Sequence, residues 1–306
     1  MANQSTDAEL LRDFKARKPR ALARAISRAE AGHGGELVRA LYAKTGRAMT
    51  IGLTGPPGVG KSTLASGLVR RARTLGKSVG VVSVDPSSPF SHGALLGDRI
   101  RLAEHFTDEE VFIRSMASRG HLGGLAGATA DAVLLMDAFG FDVVLIETVG
   151  VGQSEVAIAE LAQTTLVALQ PGSGDSIQVL KAGIMEIADV FVVNKADHPM
   201  ANLLRREIRS TMEMLEWKGW VPELVMTQAL AGEGIEELWN AIERHMTYLN
   251  ETGEMEQRRR EAFTHQVREL ALGRLARRLD SALRKEAHDE IDPYEAADRI
   301  LSTFRF

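Results

Sequence analysis

The chain has 306 residues, 44% hydrophobic and 25% charged, with a net charge of −4 and no cysteine. That length holds one sizeable α/β domain with helical appendages, and the composition is that of a globular protein in water. The acidic balance disfavours general nucleic-acid binding, and the lack of cysteine removes disulfides, iron–sulfur clusters and thiolate zinc sites. No run approaches the ~20 apolar residues of a membrane span. The opening MANQSTDAEL lacks the charged-then-apolar order of a secretion signal, so no membrane role and a cytoplasmic location are expected.

Residues 1–46 read as a helical arm. Leu10, Leu11 and Phe14 share one helix face, followed by Leu22 and Ile26, then Leu37, Val38 and Leu41, with Pro19 and the Gly34–Gly35 pair as punctuation. Its basic residues, such as Arg12, Lys15, Arg17, Lys18 and Arg20, are read as a solvated face.

Residues 47–249 alternate apolar strand-like runs (49–54, 79–84, 142–146, 165–169, 189–194 and 223–227) with segments long enough for crossover helices. This predicts an α/β fold with a mostly parallel, doubly wound sheet, which the glycine loop GPPGVGKST after the first run makes a P-loop NTPase. The runs VGVVSV, VVLIET and VFVVN are apolar almost throughout, as central strands buried on both faces are. Residues 250–306 change character. From Glu254 to Lys285, the positions Phe263, Val267, Leu270, Leu272, Leu275, Leu279 and Leu283 alternate with arginines, which predicts a long amphipathic helix or a helix pair. Asp292 and Pro293 then start a last helix through Leu301. The stripe is a candidate dimerisation arm.

The chemistry concentrates at strand ends, where such sheets bind ligands. After the run Met49–Thr54 comes GPPGVGKST, with the spacing G-x-x-x-x-G-K-S. Gly55, Gly58 and Gly60, with Pro57 and Val59 between them, let backbone amides turn around a phosphate beside a helix N-terminus. Lys61 supplies charge at the outer phosphates, Ser62 a hydroxyl for Mg²⁺, and Thr63 continues the motif. Asn194-Lys195-Ala196-Asp197 follows VFVVN. The Asp197 carboxylate can accept from guanine's ring N–H and exocyclic amine, whereas facing adenine it loses partners at a cost of roughly 1–3 kcal/mol, so GTP is favoured over ATP. At the next strand end, Ala229 and Leu230 are candidate base contacts, although Gln228 stands where a serine is usual. Glu147, ending VVLIE, is a candidate for Mg²⁺, and Gly150 can offer its N–H to a γ-phosphate. Asp85 and Asp98 are two further acids for Mg²⁺, an ion content with few protein ligands.

The order GPPGVGKST, VDPSSPFSHGALLGDRIRL, SRGHLGGL, IETVGVGQSE and QPGSGDSIQVLKAGIMEIADVFVVNKAD resembles the MeaB/ArgK family of GTPases, relatives of the methylmalonic aciduria type A protein, over nearly the whole chain. The resemblance implies a GTP-binding (GTP/GDP, Mg²⁺) chaperone of a cobalamin-dependent acyl-CoA mutase, acting with a cobalamin adenosyltransferase and built as a homodimer. It places the phosphate loop at Gly55 to Thr63, the magnesium acids at Asp85, Asp98 and Glu147, and the base loop at Asn194, Lys195 and Asp197. It also implies a third switch from Gln170 to Lys181, with Lys181 facing the nucleotide. The segment after Glu147 does not copy the water-positioning order of Ras-like GTPases; Gln153 and Glu155 are the candidates there, and slow hydrolysis accelerated by a partner is expected. Arg114 and Arg119 flank a serine- and glycine-rich stretch read as a loop. Two other readings are an ATP-dependent kinase or transport ATPase, an older label in the family, and a nickel-insertion GTPase, which calls for a His- or Cys-rich site this sequence lacks.

Overall fold

The computed structural model describes residues 2–86, 102–118, 124–148, 154–172, 184–284 and 292–304. Seven strands form one parallel sheet: β1 (Met49–Thr54), β2 (Val79–Pro86), β3 (Val111–Ser118), β4 (Val143–Thr148), β5 (Thr164–Leu169), β6 (Val190–Asn194) and β7 (Glu223–Thr227). Their spatial order is β3-β2-β4-β1-β5-β6-β7. The chain runs outward from β1 to β2 and the edge strand β3, returns to insert β4 between β2 and β1, and then crosses to β5 on the other side of β1, so the crevice at the carboxyl end of β1 is the topological switch point. Every residue of β4, β5 and β6 is buried, which accounts for their unbroken apolar runs.

Side-chain alternation splits the core into layers. On one face Ile51, Leu53, Val81, Leu145, Leu166 and Val192 pack under α4 (Lys61–Thr74) and α8 (Ile235–Thr252), with Trp239 at the centre. On the other face α5 (Gly124–Phe139) and α6 (Ser154–Leu161) cover β2 and β4, while α7 (Ala201–Glu213) covers Phe191 and Val193.

The N-terminal helices α1 (Ala2–Lys15), α2 (Pro19–Glu30) and α3 (Gly35–Leu41) form an outer layer of this core. Leu10, Phe14, Leu22 and Ile26 are fully buried in the cluster that holds Val82 and Ile146. The basic face expected for this segment is exposed at Lys15, Arg17 and Arg20, and the Arg17 guanidinium in addition donates to the carbonyls of Phe139 (2.9 Å) and Gly140 and so caps α5.

One strand went unread in the sequence. Val111–Ser118 is the edge strand β3, and it breaks the apolar pattern because Arg114 pairs outward with Glu30 and Ser27 of α2. Arg114 is thus a strand residue locked to the N-terminal layer and not part of a loop.

At the C-terminus α9 (Glu254–Leu283) is a single 30-residue helix, followed by α10 (Pro293–Ser302) with Asp292 as the expected cap, accepting from the N–H groups of Tyr294 and Glu295. The base of α9 is fixed at the amino end of β6. Arg258 donates twice to Asp189 (2.7 and 2.9 Å) and once to the Gln163 carbonyl (2.8 Å), and Asp189 also accepts from the Thr165 N–H at 2.8 Å. His245 of α8 lies 3.2 Å from the same carboxylate.

Two buried ionisable groups give stability an opposed pH dependence. Burial, against the pull of Asp189, pushes His245 down from 6.5 to about 4, so its contribution is complete above 6.5 and is lost as pH falls toward 4. Burial alone pushes Asp131 of α5 up from 3.8 to about 6, so its contribution is present below 3.8 and is lost as pH rises through 6. Between these values the two slopes oppose. Asp131→Asn should therefore raise stability at pH 7.5 by about 1–2 kcal/mol and, by removing one slope, uncover a steeper loss toward pH 4. Urea titrations across this range check it; parallel profiles for variant and wild type would refute the assignment.

Candidate nucleotide site

The loop between β1 and α4 runs over the carboxyl end of the sheet. Gly55 has φ +138, and a Cβ there would lie 2.1 Å from the Ala168 carbonyl oxygen, so the loop leaves β1 in direct backbone contact with β5. Gly60, with φ +93, is equally constrained, since its Cβ would meet the Asn194 amide nitrogen at 2.6 Å. Between them Val59 is fully buried in the core and pins the loop, while Pro57 and Gly58 are exposed. Lys61 opens α4, and its buried ammonium donates to the carbonyls of Gly55 (2.7 Å) and Pro56 (2.9 Å). Ser62, also buried, donates to Glu147 at 2.6 Å. Thr63 follows on the same first turn.

Glu147 reaches this point because β4 pairs with both β1 and β2: it stands opposite Leu53 on one side and Ser83 on the other. The next residue, Thr148, donates its hydroxyl to Thr54 at 3.1 Å, both fully inside, so the root of the phosphate loop is bonded to the strand end that carries the acid. Asp85 lies on β2 two residues beyond Ser83, at the same end of the sheet. Asp98, Gly150, Gln153, Lys181 and Arg119 lie outside the described residues, as do the side chains of Asp85 and Glu155.

The second loop arrives from β6. The Asn194 side chain donates to the Val59 carbonyl (2.8 Å) and accepts from the Thr227 hydroxyl (3.1 Å) and the Ala229 N–H (3.1 Å), so one buried amide ties three loops. Lys195 crosses above it and donates to the Gly58 carbonyl (3.0 Å) and to Gln170 (2.5 Å). Asp197 is exposed on the same loop, Ala229 is buried against it and Leu230 points to solvent at 94% exposure. The structure therefore brings together the phosphate-loop residues, Glu147, Asn194, Lys195 and Ala229. Gln170 was marked in the sequence only as the start of the third switch implied by the resemblance; its contact with Lys195 emerges once the two loops are placed side by side.

A family model described as methylmalonyl Co-A mutase-associated GTPase MeaB matches residues 22–284, most of the chain. The chain belongs to the MeaB family of GTPases. A relative in Pyrococcus abyssi, carrying a GTPase name, is 44% identical over 96% of this chain and 95% of its own length. The GTPase ArgK of Escherichia coli is 36% identical over 88% of this chain and 84% of its own. The mitochondrial methylmalonic aciduria type A homolog of Mus musculus is 37% identical over 68% of this chain and 52% of its own. Among solved structures, one described as an LAO/AO transport system kinase superposes with a TM-score of 0.73 at 26% identity, covering 99% of this chain and 98% of its own. The MeaB-family chain is thus a nucleotide-binding hydrolase with a P-loop fold, and its glycine loop, Lys61 and N-K-x-D loop meet in one crevice.

Proposed function

We propose that this GTPase is a chaperone of a cobalamin-dependent acyl-CoA mutase, using GTP to gate adenosylcobalamin loading from an adenosyltransferase and to protect or reactivate the mutase. The family's description names association with methylmalonyl-CoA mutase, and the mouse relative's name points the same way. Within the chain, the observation that carries the reading is the Asn194 and Lys195 junction, which bonds a phosphate-binding loop to a loop ending in a carboxylate.

In this reading the amides of Gly55, Pro57, Gly58, Val59 and Gly60 would follow the phosphates, with Lys61, Ser62, Thr63 and Gly150 completing that end. Asn194, Lys195, Asp197, Ala229 and Leu230 would enclose guanine, with the Asp197 carboxylate accepting its two donors. Lys61 neutralises charge that develops on the transferred phosphoryl group. Glu147, Gln153 and Lys181 are the other groups proposed to act in hydrolysis.

Mg²⁺ suits the donor set. Ser62 and Glu147 are hard oxygen donors, buried and in contact, and Mg²⁺ takes few protein ligands beside phosphate oxygens and water. The protein's share would be Ser62 and Glu147, with Asp85 and Asp98 proposed beside them. When bound, the ion would supply charge neutralisation at the phosphates.

The three parts proposed from the sequence, 1–46, 47–249 and 250–306, take roles as packed outer layer, GTPase domain and C-terminal extension. The exposed Phe263, Val267, Leu270 and Leu279 of α9 support a homodimer through that helix. Among the described residues no helix is long and apolar enough to cross a membrane; the proposed location is the cytoplasm.

Single-turnover GTP hydrolysis with and without an acyl-CoA mutase tests the proposal. Slow hydrolysis accelerated at least tenfold by the mutase is expected, since the segment after Glu147 does not copy the water-positioning order of Ras-like GTPases. A fast rate indifferent to mutase would sink the chaperone reading. ATP competing as well as GTP would instead favour the kinase or transport ATPase named by the structural neighbour.

A further inference from the structure

Lys195 has φ +57, a left-handed conformation that costs an L residue about 1–2 kcal/mol and persists only where its surroundings impose it. The backbone supplies part of that constraint: the Ala196 N–H donates to the Thr227 carbonyl and the His198 N–H to the Lys195 carbonyl, both at 3.0 Å. The side chain supplies the rest, through Gly58 and Gln170.

Gln170 is the first residue beyond β5, so its amide reaches Lys195 from a loop separate from the phosphate loop and the N-K-x-D loop. It also lies over the phosphate loop, since a Cβ on Gly58 would meet the Gln170 Nε2 at 3.9 Å. Two residues later, a Cβ on Gly172 would meet His198 Cε1 at 3.5 Å, so the stretch 170–172 runs alongside the loop 195–198. A lysine ammonium is a freely rotating point charge on a flexible stem, and two fixed acceptors convert it into a directed strut.

We infer that Gln170 is a positioning residue for guanine nucleotides: its amide oxygen fixes the Lys195 ammonium against Gly58 and thereby holds the left-handed turn that presents Asp197. The inference rests on the guanine-site reading above. Gln170 acts before and after phosphoryl transfer alike, so its contribution is uniform binding, felt in affinity and not in the chemical step.

The test uses the full chain and fluorescent GDP and GTP analogues, with Gln170→Met (same length, no acceptor), Gln170→Asn (acceptor too short) and Gln170→Glu (acceptor restored). Loss of a hydrogen bond to a charged group predicts about tenfold weaker binding of both nucleotides by the Met and Asn variants. The Glu variant should return to within about threefold of wild type, and kcat at saturating GTP should change by less than about twofold in all three. Unchanged thermal melting of the nucleotide-free variants separates this from a folding defect. Wild-type affinity in the Met variant, a Glu variant as weak as Met, or a loss confined to kcat each overturns the inference. A wild-type chain that binds no guanine nucleotide overturns the guanine-site reading itself, a result distinguishable from the others by the first titration.

Discussion

Lys61→Ala is expected to lower the turnover number for GTP by about 10³-fold, the loss of ~4 kcal/mol of transition-state stabilisation that removal of a preorganised electrostatic contact typically produces. The side chain is buried at the head of α4 and oriented by two loop carbonyls, Gly55 and Pro56, so its charge is already aimed within the loop. That geometry separates it from a surface lysine, whose removal changes rates little. GDP affinity should fall less than turnover, because the charge on the γ-phosphoryl group is what Lys61 meets during transfer and the loop amides remain. Rapid-quench kinetics at saturating nucleotide read the effect, and residual turnover within tenfold of wild type would count against Lys61 as the phosphate cation. Lys61→Arg should not rescue, since a planar fork does not fit a space built around a compact ammonium.

The second large effect concerns the root of the C-terminal helix. Asp189→Ala should destabilise the protein by about 3 kcal/mol, because it leaves the Arg258 guanidinium without its carboxylate and the Thr165 N–H without an acceptor in a buried setting. The Asp189 carboxylate is nearly inaccessible and holds strand, helix and arm together, so the loss exceeds what a surface ion pair carries. Urea denaturation measures it, and limited proteolysis should show the 254–258 region cut first, since Arg258 is the second-turn residue that moors α9. A change below about 1 kcal/mol would show that α9 is held by its apolar contacts alone.

The sequence made most of this architecture readable because the sheet is parallel. Six strands declared themselves as apolar runs: the central ones because a strand buried on both faces has no polar side to interrupt it, and the edge strand β7 because Leu224, Val225 and Met226 stand together. β3 escaped for the converse reason: it is an edge strand whose Arg114 turns outward to Glu30, and its pattern reads as broken. The N-terminal helices were legible as helices but not as core. Amphipathic spacing says that Leu10, Phe14, Leu22 and Ile26 need a covering surface, not which surface supplies it.

At the site, Lys61, Ser62, Asn194 and Lys195 were legible through their spacing, since each motif carries its own loop geometry. Residues that act through long-range contacts left no local trace. Asp189, His245 and Arg258 are distant in sequence and meet only when β6, α8 and α9 are assembled, and the Thr54–Thr148 pair joins two strand ends that only the sheet order makes neighbours.

The Asn194 amide carries a consequence for how the protein lets go of what it binds. Because it clamps Val59 to Thr227 and Ala229, the glycine loop and the end of β7 are joined through one side chain, and separating them breaks at least its buried hydrogen bond to Val59. In the proposed guanine site, that corner is expected to stay closed while spent nucleotide leaves.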